Sequence, residues 1–142
     1  MKKLLLILFV ANLSNQLSAQ QAQSSIESSI GSFFNGLSLF NEDTLKLYST
    51  SDFHLLEDGH VWNMDSLLAK VMPRRNSKLQ RINSFNFIRS EENENTAWVS
   101  YYNSAEFRLG DRQQVVKWLE SVILKKINGI WKIQMMHSTK LK

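Results

Sequence analysis

Cysteine is absent from the chain. That excludes disulfide staples, thiolate metal sites, a cysteine nucleophile and a lipid-modified N-terminal cysteine. Proline occurs once, at Pro73, and glycine only five times, so collagen-like and linker-rich organisations are excluded. The longest apolar run, Leu4 to Ala11, falls well short of the ~20 residues of a membrane span. There is no G-x-S-x-G, no glycine-rich phosphate loop and no H-E-x-x-H, and histidine occurs three times. Charge of one sign is not abundant either: 17 basic and 13 acidic residues give +4. What is present is 43% hydrophobic and 11% aromatic content over 142 residues, the composition of one globular domain.

Part of the positive charge belongs to the first segment. Lys2 and Lys3 precede the apolar run, and Leu17-Ser18-Ala19-Gln20 follows after polar residues. A charged start, a short apolar stretch and a small-residue cleavage site are the layout of a secretory signal peptide. Residues 1–19 are therefore expected to be removed after Ala19, leaving 20–142 as a single domain. The remainder carries 15 basic and 13 acidic groups. An excess of that size gives no electrostatic footprint for nucleic acid or a membrane surface.

Ile26, Ile30, Phe33, Leu37 and Phe40 recur at steps of three and four, the apolar stripe of an amphipathic helix. A short helix is expected over Thr44 to Tyr48. A hairpin is expected over Asp52 to Trp62, turning at Asp58-Gly59, and His54 and His60 point to opposite faces of it. A third helix spans about Met64 to Met72 and ends at Pro73. Arg74, Arg75 and Lys78 form a basic loop. Four long strands follow: Leu79 to Ser90, Thr96 to Arg108, Gln113 to Ile127 and Ile130 to Ser138. Helices first and strands later indicate an α+β fold.

Turn positions bring distant residues together. A two-residue loop at Asn128-Gly129 places Val122 opposite Met135 and Glu120 opposite His137. One at Gly110-Asp111 places Tyr101 opposite Glu120 and Asn103 opposite Trp118. Tyr101, Glu120 and His137 then lie side by side on the face under the helices, beside Trp118, Trp131 and Met135. Buried polar groups need partners. The trio reads either as a satisfied core network or as the polar part of a pocket, and a His–Glu pair is also a candidate general base. His54 and His60 diverge, so no metal site is expected, and no cofactor is implied.

Three stretches carry a family resemblance: Asn41-Glu42-Asp43-Thr44-Leu45-Lys46-Leu47-Tyr48, Asp52-Phe53-His54-Leu55-Leu56-Glu57-Asp58-Gly59, and Asn128-Gly129-Ile130-Trp131-Lys132-Ile133 running into Met136-His137-Ser138. In this order and spacing the chain resembles the nuclear transport factor 2-like superfamily, specifically its SnoaL-like small secreted bacterial members, over about residues 24–139. The resemblance implies a cone-shaped α+β fold. A curved antiparallel sheet would wrap a long N-terminal helix, with two short helices and a pocket at the open end. It also implies homodimers through the open sheet face, where Leu119, Ile123, Ile127, Ile130 and Met136 are expected among Lys117, Lys125 and Lys132. No catalytic signature of the enzyme members transfers residue by residue.

The expectation is an exported, periplasmic or extracellular protein with a pocket for a small, partly apolar organic ligand. Trp118, Trp98, Trp62, Tyr48, Asn103 and Met135 would line it. The alternatives are a cofactor-free isomerase, dehydratase or hydrolase, or a dimeric partner-binding module. In the enzyme reading His137 moves the proton, Glu120 orients it and Tyr101 donates to developing negative charge.

Overall fold

The computed structural model describes residues 25–142. The expected leader, residues 1–19, lies outside the described residues. Helix α1 (residues 25–38) turns Ile26, Ile30, Phe33, Phe34 and Leu37 onto one buried side. It ends with Asn41 N–H donating to the Gly36 carbonyl and Phe40 N–H to the Leu37 carbonyl. This is the Schellman arrangement, and Phe40 takes the left-handed position (φ 52°) in which glycine is commoner. Burial of the Phe40 ring offsets that conformational cost. Helix α2 (Glu42–Leu47) is capped by the Asn41 side chain, which accepts from Thr44 N–H. Helix α3 (Met64–Val71) is capped in the same way by Asn63. A single 3-10 turn (Met72–Arg74) follows, and Pro73 sits near its start.

Six strands form one sheet: β1 (Ser49–Glu57), β2 (His60–Asn63), β3 (Gln80–Asn93), β4 (Thr96–Leu109), β5 (Arg112–Ile127) and β6 (Ile130–Lys140), in the order β2-β1-β6-β5-β4-β3. Only β1 and β6 run parallel; the other neighbours are antiparallel. The inner face carries Ala97, Val99, Tyr101, Val122, Leu124, Trp131, Ile133 and Met136, which join the α1 stripe in one core.

The turns at Asp58-Gly59, Gly110-Asp111 and Asn128-Gly129 fall where the sequence places them. Asp58, Gly59, Asn128 and Gly129 all have positive φ, as a type I′ hairpin requires. Tyr101 opposes Glu120 and Asn103 opposes Trp118, as expected. The β5–β6 register is different. Leu124 pairs with Ile133, but Ile123 pairs with Met135, so Gln134 is an extra residue in β6. A bulge of one residue exchanges the faces of everything beyond it. Glu120 therefore opposes Ser138, while His137 opposes Ser121 and is exposed on the outer face. Met135 turns outward with it, and Met136 is buried instead. A second bulge in β3, at Ile88, lies between the pairs Phe87–Tyr101 and Arg89–Ser100. Bulges bend and twist a strand, and these two serve the curvature of the sheet.

Candidate functional site

The inner face of the sheet is apolar over its first half and polar along a diagonal beyond it. The diagonal starts at Ser138 on β6 and Glu120 on β5, passes through Asn103 on β4, and ends at Asn83 and Arg81 on β3. Each step across strands is either a directly opposed pair or a diagonal neighbour on one face, and the last, Asn83 to Arg81, runs two residues along β3. Ser138 Oγ donates to Glu120 Oε1 at 2.9 Å. Asn103 Nδ2 donates to Glu120 Oε2 at 3.2 Å. Asn83 Nδ2 donates to Asn103 Oδ1 at 2.7 Å. Arg81 Nε donates to Asn83 Oδ1 at 2.9 Å.

The two ends fix the direction of both amides. A carboxylate only accepts and a guanidinium only donates, so each asparagine must turn its oxygen toward Arg81 and its nitrogen toward Glu120. The result is a dipole-aligned chain joining a cation to an anion that do not touch. Ala105 lies directly opposite Asn83, and its small side chain leaves the amide room.

Burial shapes the charges. Desolvation raises the Glu120 pKa above the ordinary glutamate range, against the opposing pull of Ser138, Tyr101, Asn103 and Arg81. The Tyr101 pKa is driven well up, first by burial and then by the Glu120 charge. The Tyr101 hydroxyl lies within electrostatic reach of that carboxylate, but its geometry closes no hydrogen bond among the described residues. Glu57, which opposes Ser138 on the next strand, also has a raised pKa, from its own burial and then Asp58. Desolvation lowers the Arg81 pKa, and the Glu120 and Glu57 charges oppose that fall. Arg81 stays a cation, since arginine titrates far above neutrality.

Arg81 is a candidate site residue that the sequence does not single out. Its Cζ lies 5.6 Å from the centre of the Phe34 ring, 5.4 Å from Phe107 and 5.9 Å from Trp118. Beyond the Nε bond to Asn83, no hydrogen bond or ion pair joins its Nη groups to the described residues. It lines a cleft of about 520 Å³ between α1 and the start of β3. Phe34, Leu39, Leu79 and Phe85 give the cleft its apolar walls; Asn35, Ser38 and Asn83 are its polar groups. The Ser38 hydroxyl is shared between the Phe34 carbonyl at 3.0 Å and Asn83 Oδ1 at 3.4 Å. The missed signal was the alternation Arg81, Asn83, Phe85, Phe87, which reaches the inner face only once the Glu94-Asn95 turn and the Ile88 bulge are placed.

The structure brings together Tyr101, Glu120, Asn103 and, through Arg81, Trp118. His137 and Met135 are removed from this face by the β6 bulge, so the expected His–Glu contact does not form. Trp98 is on the outer face, paired with Ile123. Strand alternation puts it opposite in orientation to Val99, so it walls no inner pocket. Tyr48 and Trp62 are partly buried and pack against the core, away from the Arg81 cleft. Among the described residues no group of three His, Cys, Asp or Glu side chains could hold a metal ion. Likewise, no helix there is long and apolar enough to cross a membrane.

No family model matches the chain, and no curated protein matches it by sequence. Solved structures do match it by shape. The CaMKII hub homology domain of Chlamydomonas reinhardtii superposes with a TM-score of 0.76 at 16% identity, over 85% of this chain and 99% of that one. An NTF2-like protein from Cytophaga hutchinsonii gives 0.69 at 13% identity, over 84% and 98%. A ketosteroid isomerase-like protein from Erwinia carotovora gives 0.66 at 13%, over 84% and 95%. The chain thus has the nuclear transport factor 2-like, cystatin-like α+β fold, with a curved sheet around the long first helix. At these identities the likeness defines the fold and not the activity.

Proposed function

We propose that the protein binds a small, partly apolar organic molecule in the cleft between α1 and β3, without transforming it. The observation that carries this reading is the cleft itself. It joins four apolar walls to Asn35, Ser38, Asn83 and Arg81, the mixture that ligand pockets use. The network behind it holds Asn83 and Arg81 in fixed orientation, which lowers the entropy cost of binding. A His–Glu acid/base step has no support in the geometry, because His137 and Glu120 occupy opposite faces. The working form in this reading is the exported chain from residue 20 onward.

The test is a fragment screen followed by heteronuclear magnetic resonance. Binding should shift the backbone amides of Gly31, Asn35, Ser38 and Ile82, and Gly31→Leu should stop it. Gly31 lines the cleft and a Cβ there meets nothing within 4 Å, so a larger side chain has room to grow into it. Fragments that shift only other surfaces would overturn the reading.

A second reading, a self-associating module, draws on a different observation. The outer face presents Trp98, Tyr102 and Leu119 to solvent. Among the similar folds are proteins described as hub and association domains. The oligomeric state in solution tests it.

A further inference from the structure

We infer that the cleft takes a monocarboxylate with a flat apolar body, and that the Arg81 guanidinium is its anchor. This rests on the small-molecule reading of the same cleft and adds the chemical class of the ligand. Arg81 is a cation taken largely out of water, and burying a charge is costly unless it is matched. Its counter-charge in the protein, Glu120, is reached only through two intervening amides. Its Nε is committed to Asn83, its Nη groups have no partner among the described residues, and its side chain lines the cleft. A guanidinium edge in that state matches the two oxygens of a carboxylate in a planar, bidentate pair.

The surroundings select further. The rings of Phe34, Phe107 and Trp118 pack around the guanidinium, shield it from water and so strengthen its attraction for an anion. They also hold the guanidinium in place, as does Asn83. One cation, already partly balanced by Glu120 and Glu57, suits a single negative charge better than a dianion. Next to it the walls are Phe34, Phe85, Leu39 and Leu79, which favour an aromatic or branched aliphatic body over a sugar or a polar chain.

The experiment compares benzoate with benzamide, its neutral counterpart of nearly the same shape, by calorimetry and amide shifts on the protein from residue 20 onward. Benzoate should bind at least ~10-fold more tightly than benzamide, the difference expected of a charge-assisted bidentate pair. Arg81→Lys should weaken benzoate by about 10-fold and Arg81→Met should abolish its preference over benzamide. Gly31→Leu, which leaves Arg81 untouched, should remove both ligands and serves where an Arg81 variant fails to fold. Equal binding of benzoate and benzamide at the cleft amides would overturn the carboxylate inference and leave the small-molecule reading standing. Benzoate binding that survives Gly31→Leu would place the anion elsewhere and overturn the inference. If neither ligand shifts the cleft amides, both readings fail.

Discussion

Glu120 is a carboxylate that the fold keeps although its ionisation is disfavoured. Burial pushes its pKa up, and the donors Ser138 and Asn103 recover only part of that penalty. The folded protein therefore binds more protons than the unfolded chain between the ordinary glutamate value and the raised one. The linked stability is complete below that window and is lost as pH rises through it. Glu120→Gln keeps an acceptor for Asn103 and a partner for Ser138 while removing the charge. We expect it to be neutral or stabilising by up to ~1 kcal/mol at pH 8. It should also flatten the decline of stability with rising pH measured by urea unfolding at pH 5 and pH 8. Glu57 shifts in the same direction, so the decline should shrink rather than vanish. A steeper decline in the variant would show that the network depends on the charge. At this scale Glu120, Tyr101 and Asn103 were legible in the sequence, because a polar residue on an apolar face stands out. Arg81 was not, because the Glu94-Asn95 turn and the Ile88 bulge decide which face it takes, and neither can be placed from the sequence.

Elements meet where side chains allow them to. At Gly36 an added Cβ would lie 3.0 Å from Leu45 Cγ and 3.2 Å from the Leu45 backbone nitrogen, so α2 rests directly on the α1 backbone. Gly36→Ala gains helix propensity but forces the α2 backbone away, and should cost about 1–3 kcal/mol net. Gly31→Ala, one turn and a half earlier, meets open space and should stabilise by roughly 0.5–1 kcal/mol. Thermal unfolding of the two variants separates packing from propensity; a stabilised Gly36→Ala would refute the close contact. The strands show the limit of reading pairings from turns. Asn128-Gly129 and Gly110-Asp111 carry their own backbone chemistry, so the pairs next to them follow directly. The bulge at Gln134 has no such residue signature. It arises because the curved sheet needs a bend there, and because the bend buries Met136 and gives Glu120 the Ser138 hydroxyl in place of the His137 ring. Gln134 itself uses the displaced position to donate to Asp52 on β1, at 2.7 Å.

For the whole molecule, the outer face of the sheet is the feature still lacking a role. Trp98, Ile123 and Met135 form one row across β4, β5 and β6, and Tyr102 and Leu119 form another four residues along, with Ser100, Ser121 and His137 in the row between. Trp98, Tyr102 and Leu119 are 39%, 46% and 39% exposed. Two exposed aromatic and aliphatic rows on one face of an antiparallel sheet favour burial against a partner. A second copy is the simplest occupant, since a two-fold interface needs only one self-complementary patch. The turn at Asn128-Gly129 alone puts Met136 on this face; the bulge substitutes Met135, so the residues to change are Trp98, Ile123 and Met135. Ile123→Glu should turn a dimer into a monomer by light scattering. Lys117, Lys125 and Lys132 border the same rows, and Lys125 is tied to Thr96 Oγ1 at 2.9 Å. In a symmetric dimer the lysines of the two copies would repel, and added salt screens that repulsion. Self-association should therefore tighten as salt is raised from 50 to 500 mM, values set on either side of the ~0.15 M physiological level. An acidic partner on the same face would show the reverse trend. A wild-type chain that stays monomeric at high concentration in both salts would eliminate the self-association reading, with the α1–β3 cleft unaffected.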